Sequence, residues 1–144
     1  MSEKKTTGSC LCGSVRYEIT GDTRDVVACH CTPCRKQSGH FWTSFTVWTD
    51  QFRLTEDKGL KWYHASDHSR RGFCSECGSS ILFETLDSGK ISPSAGSVDG
   101  PTHLETIGHI YTATKGDYYD LDDGLPNYED TDNGAFPMPP KQHA

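Results

Sequence analysis

The sequence predicts a mainly β protein, in which short antiparallel strands build a modest core and one short helix interrupts them. Three observations favour this fold class. Short runs of β-branched and aromatic residues alternate with turn signals, such as Asp-Lys-Gly at 57–59 and Asp-Ser-Gly at 87–89. Only one stretch carries both the start and the stop signal of a helix. A chain of 144 residues with a hydrophobic fraction of 33% is typical of a single domain with a small apolar core.

The individual strands are predicted from alternation and from turn boundaries. Residues 14–19 alternate polar and apolar side chains, as a half-buried strand does, and the apolar run 26–28 indicates a short buried strand. The Thr-Pro pair at 32–33 is a typical helix start and Gly39 a typical stop, so residues 34–38 are predicted to be helical. The other predicted strands cover residues 41–48, 52–54, 60–64, 70–73, 80–85, 91–97 and 106–111.

The charge is unevenly distributed along the chain. Residues 117–132 hold seven of the 20 acidic residues and no Lys or Arg, so the rest of the chain is close to neutral. Proteins that bind nucleic acids usually have a strongly basic surface, and this distribution of charge does not predict one. No apolar run has the length of a membrane span or the form of a signal peptide. We therefore expect a cytoplasmic protein without nucleic-acid or membrane partners, and a homo-oligomer is compatible with the sequence.

Seven cysteines divide into a group of four and a group of three. In a reducing compartment, closely spaced cysteines are more often metal ligands than disulfides. The pairs Cys10-x-Cys12 and Cys74-x-x-Cys77 together supply the four thiolates of a closed, structural zinc site. Two unrelated pairs of buried thiols are the alternative, which the spacing disfavours.

The second group, Cys29, Cys31 and Cys34, places three thiols within six residues. Three protein ligands leave one zinc position free for water or substrate, which is typical of a catalytic site. His30 is a poor fourth ligand, because alternation along an extended segment directs it away from its neighbours. Two alternatives remain, namely a redox-active thiol pair without metal and a second structural site completed by a histidine. The candidate histidines are His40, His64, His68, His103 and His109.

Several charged residues lie near these cysteines in the sequence. Arg35 and Lys36 follow the second group directly and would suit a substrate that carries carboxylates, although a solvated helix face would look the same. Arg70 and Arg71 are predicted to be an exposed pair on a strand. For His109, both a satisfied strand histidine and an acid–base group in a pocket remain open.

Three ordered cysteine motifs resemble the glutathione-dependent formaldehyde-activating enzyme (GFA) family, which also contains centromere protein V. The motifs lie at residues 8–17, 29–39 and 73–78. Residues 109–129 look like the C-terminal segment of the same family, with Tyr118 where a tryptophan is usual. The resemblance implies a GFA-type zinc domain over residues 8–129, between a flexible N-terminus (1–7) and an irregular, proline-rich tail (130–144). It also implies the β-tent fold, in which a structural zinc bridges short antiparallel sheets.

The family's function gives a more specific expectation. The resemblance implies two zinc ions, a structural one on Cys10, Cys12, Cys74 and Cys77 and a catalytic one on Cys29, Cys31 and Cys34. The implied activity is that of a carbon–sulfur lyase, which joins glutathione and formaldehyde, or another small aldehyde, as in S-hydroxymethylglutathione. Arg35 and Lys36 would then hold the carboxylates of glutathione.

Two other functions compete with the lyase. A non-catalytic binding module, like centromere protein V, would hold two zinc ions tightly and show no turnover, but this chain lacks a long basic extension. A methionine sulfoxide reductase shares the tent-like architecture, but it needs a reactive cysteine outside the metal sites. After the division into four and three, no cysteine is left for that role.

Overall fold

The computed structural model describes residues 4–141. Within this range one α-helix, α1 (Thr32–Ser38), and three short 3-10 helices accompany a large share of strand, so the mainly β fold class is confirmed. The strands are β1 (Lys5–Ser9), β2 (Arg16–Thr20), β3 (Arg24–Cys29), β4 (Trp42–Trp48), β5 (Phe52–Glu56), β6 (Leu60–His64), β7 (Ser69–Cys74), β8 (Ser80–Thr85), β9 (Lys90–Pro93) and β10 (Thr106–Ile110). The 3-10 helices are Thr49–Gln51, Ala95–Ser97 and Thr112–Thr114.

The strands form two sheets. The smaller sheet has the order β1-β2-β5, and the larger one has the order β10-β3-β4-β9-β8-β7-β6. All neighbouring strands are antiparallel except β10, which runs parallel to β3. The expectation of a wholly antiparallel fold is therefore wrong for this one pair. Parallel pairing needs a long connection, and the chain between β3 and β10 supplies it.

The larger sheet has one face in the core and one face towards a cavity. Phe45 and Val47 of β4 are fully buried, and Ile91 of the neighbouring β9 lies in the same cluster. They share this core with Tyr17 and Ile19 of the smaller sheet. Because side chains alternate along a strand, the residues between these apolar ones point to the opposite face. That second face carries the polar and charged groups described below.

Helix α1 is delimited as the sequence predicts. The side chain of Cys31 caps its N-terminus by accepting a hydrogen bond from the backbone N–H of Cys34. Pro33 lies in the first turn, and Gly39 ends the helix in a left-handed conformation with φ of 87°. A β-carbon is disfavoured in that conformation, which is why glycine stands there. The cap therefore brings two cysteines of the second group onto one turn.

Two boundaries differ from the predictions. The sequence predicts a flexible N-terminus over residues 1–7, but residues 5–7 belong to β1, where Lys5 pairs with Thr20 and its Nζ contacts Glu18 at 3.1 Å. Residues 1–3 lie outside the described range. The strand predicted over residues 91–97 ends at Pro93, since a proline cannot donate to a sheet, and a 3-10 helix follows.

The C-terminal segment lies against the body of the protein without regular structure. Residues 130–141 form turns and irregular backbone, and residues 142–144 are not described. The indole N–H of Trp48 donates to the carbonyl of Pro139 at 2.9 Å. Phe136 packs over Gly108, so closely that a β-carbon at this glycine would overlap its ring. No helix among the described residues combines the length and apolar character needed to cross a membrane.

Candidate functional site

The first cysteine cluster joins the two sheets. The thiols of Cys10, Cys12, Cys74 and Cys77 all lie within 4.8 Å of one another. The Cys10–Cys12 and Cys12–Cys74 sulfur distances are both 3.7 Å. Thiolates that share one zinc at about 2.3 Å in a tetrahedron lie about 3.8 Å apart, so the donor set and its spacing fit a closed zinc site.

Neighbouring groups donate hydrogen bonds to several of these sulfurs, whereas burial raises the pKa of Cys74 to about 11. The backbone N–H of Val15 donates to Cys10 Sγ at 3.3 Å, and that of Glu76 donates to Cys74 Sγ at 3.4 Å. Hydrogen bonds from Ser79 lower the pKa of Cys77 to about 5. Since the thiolate is the form that binds metal, these contacts prepare the cluster for a cation.

The second cluster lies where β3 meets α1. Cys29 ends β3, Cys31 caps α1 and Cys34 lies within the helix, and their thiols are all within 4.8 Å of one another. No His, Asp, Glu or further Cys among residues 4–141 joins this group, so none of the candidate histidines completes it. Three thiolates fit a zinc ion with one open coordination position.

The pKa values of the three thiols differ. The pKa of Cys31 is well below the ordinary thiol value, chiefly because Cys29 and then Cys34 hydrogen-bond to its sulfur. The same hydrogen bond raises the pKa of Cys29. Cys31 is thus the sulfur that carries negative charge first, and a cation in this cluster would stabilise the charge on the others.

Arg71 lies directly beside this second cluster. Its Nη2 donates to Cys34 Sγ at 3.4 Å, and the residue is only 5% exposed. The expectation of an exposed Arg70-Arg71 pair is therefore wrong for Arg71. Successive residues of β7 point to opposite faces, so Arg70 lies on the other side, where it pairs with Glu84 at 2.7 Å.

A cavity of about 650 Å³ opens over the second cluster. Its floor is the polar face of the larger sheet, and Trp42 and Phe83 are among its apolar walls. Arg24, Arg71 and Lys90 also line it, whereas no Asp or Glu does. A volume of this size accommodates a small organic ligand, and the charges favour an anionic one.

Arg35 and Lys36 lie outside the cavity lining. Arg35 Nε donates to the carbonyl of Thr114 at 3.2 Å, and Lys36 is exposed on α1. Their role in holding a substrate carboxylate stays a prediction, and the cations that line the cavity come from β3, β7 and β9 instead. Sequence spacing could not reveal Arg71 and Lys90, because they are far from the second cluster along the chain, and it gave no reason to select Arg24.

A buried histidine network lies behind the second cluster. His30 is fully buried, its Nδ1 is 2.5 Å from the hydroxyl of Tyr119, and its Nε2 is 2.9 Å from His109 Nδ1. His109 Nε2 in turn contacts Asp123 at 2.8 Å. Burial, followed by the proximity of His109, lowers the pKa of His30 to about 4, so this ring is neutral at neutral pH. The network fixes the segment between two cysteines and leaves His109 a satisfied strand residue.

Tyr111 is a cavity residue that the sequence did not single out. It adopts a left-handed conformation with φ of 56°, which is uncommon for an aromatic residue. Its backbone N–H donates to the carbonyl of Asp130 at 2.8 Å, so the C-terminal segment holds it there. Backbone strain of this kind is frequent at functional sites.

The fold and the two clusters define a small β protein whose seven cysteines are all free and can hold two metal ions. The sequence profile of the family described as "Glutathione-dependent formaldehyde-activating enzyme" matches residues 5–114. This covers more than half of the chain, so the protein belongs to that family, as the cysteine motifs predicted. Membership indicates a function in glutathione-dependent aldehyde activation or a related process.

Comparison with individual proteins adds support for the fold alone. No curated protein shows significant sequence similarity to the chain. A crystal structure of a Rhodobacter sphaeroides protein from a structural genomics programme is similar, with a TM-score of 0.59 and 20% sequence identity. The similarity covers 72% of this chain and 98% of that one.

Proposed function

We propose that the protein is a zinc-dependent carbon–sulfur lyase, which joins or splits glutathione and a small aldehyde. In the forward direction the sulfur of glutathione adds to the carbonyl carbon. The S–H bond breaks, a C–S bond forms, the C=O π pair moves to oxygen, and that oxygen takes up the proton that the thiol has released, as in S-hydroxymethylglutathione. The reverse direction returns the proton and breaks the same bond.

One observation carries this proposal. Three thiols within reach of a single ion, without a fourth ligand from residues 4–141, lie in the wall of a cavity of about 650 Å³. A structural zinc site has four protein ligands and needs no cavity beside it, as the four-cysteine cluster illustrates, whereas the second cluster has three ligands and a cavity. Zinc held by the three thiols would supply an open position that can bind a thiolate or polarise a carbonyl oxygen.

The protein's own residues would orient the reactants. The cavity walls hold the two reactants next to each other, which removes much of the entropic cost of bringing them together. The guanidinium of Arg71 lies beside Cys34 and would stabilise negative charge that develops near the cluster. A reducing compartment such as the cytoplasm would keep all seven thiols free, as the proposal requires.

Metal counting combined with turnover tests this proposal. Zinc per chain is measured by mass spectrometry, and turnover with glutathione and formaldehyde is followed by NMR exchange against the uncatalysed rate. Cys31→Ala is expected to lose one of two zinc ions and all turnover while remaining folded. The matched variant Cys12→Ala is expected to lose the other zinc and to unfold, because that cluster joins the two sheets.

Other outcomes point elsewhere. If Cys31→Ala loses both ions and unfolds, the second cluster is structural. If the wild-type protein holds two tightly bound zinc ions and turns over no aldehyde in a panel, the non-catalytic binding module is the better description.

A further inference from the structure

Five cavity residues form one cross-strand row on the polar face of the larger sheet. Arg71 pairs with Phe83, and Phe83 pairs with Ser92. The antiparallel register of β4 and β9 places Ser92 opposite Thr46, and their hydroxyl oxygens are 2.7 Å apart. Thr46 in turn pairs with Arg24. The row therefore runs from one arginine to another, with a hydroxyl pair between them.

The length of this row limits what can bind along it. It crosses four gaps between strands of about 4.8 Å each, so the two arginine backbones are at most about 19 Å apart along the sheet. An extended tripeptide spans about 10 Å. The two arginine side chains can cover the remaining distance between them, so an elongated ligand of tripeptide size can reach both guanidinium groups.

The second cysteine cluster lies beside the Arg71 end of this row, because Cys34 accepts a hydrogen bond from Arg71. Arg24 begins β3 and Cys29 ends it, so Arg24 lies at the end of the strand away from the cluster. Both arginines and all three cysteines nevertheless line the same cavity. A ligand held by Arg71 would therefore lie close to the cysteine thiols and extend through the cavity towards Arg24.

Asp132 and Asp25 lie close enough to Arg24 for their charges to act on its guanidinium, but neither arginine of the row is in direct contact with a carboxylate among residues 4–141. Arg24 instead donates from Nη2 to the carbonyl of Ser44 at 3.4 Å. Arg71 is 5% exposed, and its Nε is buried without any hydrogen-bond partner. Burying such a group without a partner is costly, so this N–H donor points to an acceptor on a ligand.

We propose that Arg71 and Arg24 determine specificity by binding the two terminal carboxylates of an elongated dicarboxylate thiol, with Lys90 at the cavity rim. The identification of the ligand as a thiol rests on the proposed function. The carboxylate requirement rests on the row itself. The pair Thr46 and Ser92 offers hydroxyl groups to the polar middle of such a ligand.

A non-reactive probe separates recognition from chemistry. S-methylglutathione keeps both carboxylates but has no free thiol, and its dimethyl ester lacks both negative charges. Isothermal titration of the zinc-loaded protein is expected to show at least tenfold tighter binding of the acid than of the ester. Arg71→Gln and Arg24→Gln are each expected to lose most of this difference, and Arg71→Lys to regain part of it.

Arg70→Gln is the matched control, since it removes the same charge from the next residue on the opposite face of β7. It is expected to bind the acid as the wild type does. Equal binding of acid and ester by the wild-type protein would overturn the proposal, and this comparison holds even if a variant fails to fold. Unchanged affinity in both folded cavity variants, Arg71→Gln and Arg24→Gln, would overturn it as well.

The proposed function can fail separately. Charge-dependent binding of the probe without turnover of any aldehyde would overturn the proposed lyase activity and support the carboxylate site. Equal turnover of glutathione and its dimethyl ester would support the proposed lyase activity and overturn the carboxylate site.

Discussion

Arg71 Nη2 donates to Cys34 Sγ at 3.4 Å and thereby links β7 to the cysteine cluster of α1. The two residues are separated by 37 positions in the sequence. Three thiolates and one zinc ion would leave a net negative charge, and a buried guanidinium beside them offsets part of it.

Removal of this guanidinium should therefore weaken metal binding at the second cluster. For Arg71→Met we expect about a tenfold loss of zinc affinity there, the size usual for an outer-shell partner of a metal ligand. Competition with a chelator measures this loss of affinity, because the two clusters are expected to release their zinc in two separate phases. The phase of the four-cysteine cluster serves as the internal control and should not change. Equal loss from both clusters would indicate general destabilisation instead.

Replacement of the buried histidine should reduce stability. His30→Phe leaves the hydroxyl of Tyr119 and Nδ1 of His109 without their partner, at an expected cost of about 1–3 kcal/mol in the free energy of unfolding. Urea denaturation measures the change. His64→Phe, at an exposed strand position, is the control and should stay within about 0.5 kcal/mol. A similar effect of both variants would argue against the network.

The attachment of the C-terminal segment can be tested at Gly108. In Gly108→Ala the new β-carbon would overlap the ring of Phe136 and lie 2.9 Å from the carbonyl of Pro126. We expect the free energy of unfolding to fall by about 1–3 kcal/mol and hydrogen exchange to become faster in residues 126–141. Gly96→Ala is the matched control, because no atom lies within 4 Å of the position that its new β-carbon would take. Unchanged exchange in Gly108→Ala would show that the segment does not depend on this contact.

Tyr17 should make stability fall at alkaline pH. Burial raises the pKa of its hydroxyl from 10.0 to about 12. A raised pKa means that the folded state binds this proton more tightly than the unfolded state does. The resulting contribution to the free energy of unfolding is complete below pH 10 and is lost as the pH rises to about 12. A difference of two pKa units between the folded and unfolded states corresponds to about 3 kcal/mol in the free energy of unfolding.

The variant Tyr17→Phe cannot ionise at this position and should lose less stability between pH 10 and pH 12 than the wild type does. Unfolding by urea at several pH values measures the difference. Tyr63→Phe, at a position that is 56% exposed, should follow the wild-type curve. Parallel curves for wild type and Tyr17→Phe would contradict the prediction.

Local features of the fold could be predicted because they depend on neighbouring residues. The start and end of α1 follow from Pro33 and Gly39, which restrict the backbone wherever they occur. The strands β6 and β8 coincide with the predicted ranges 60–64 and 80–85. The parallel pairing of β10 with β3 was missed, because pairing between distant strands has no local signal.

The sequence by itself determined the division of the cysteines, since the spacing of Cys29, Cys31 and Cys34 limits how far apart their sulfurs can lie. It also determined the family, whose motifs are contiguous. Only the tertiary structure decided which cations meet that cluster. Arg24 and Arg71 share a cavity because five strands align them in register, and register depends on long-range packing rather than on neighbouring residues.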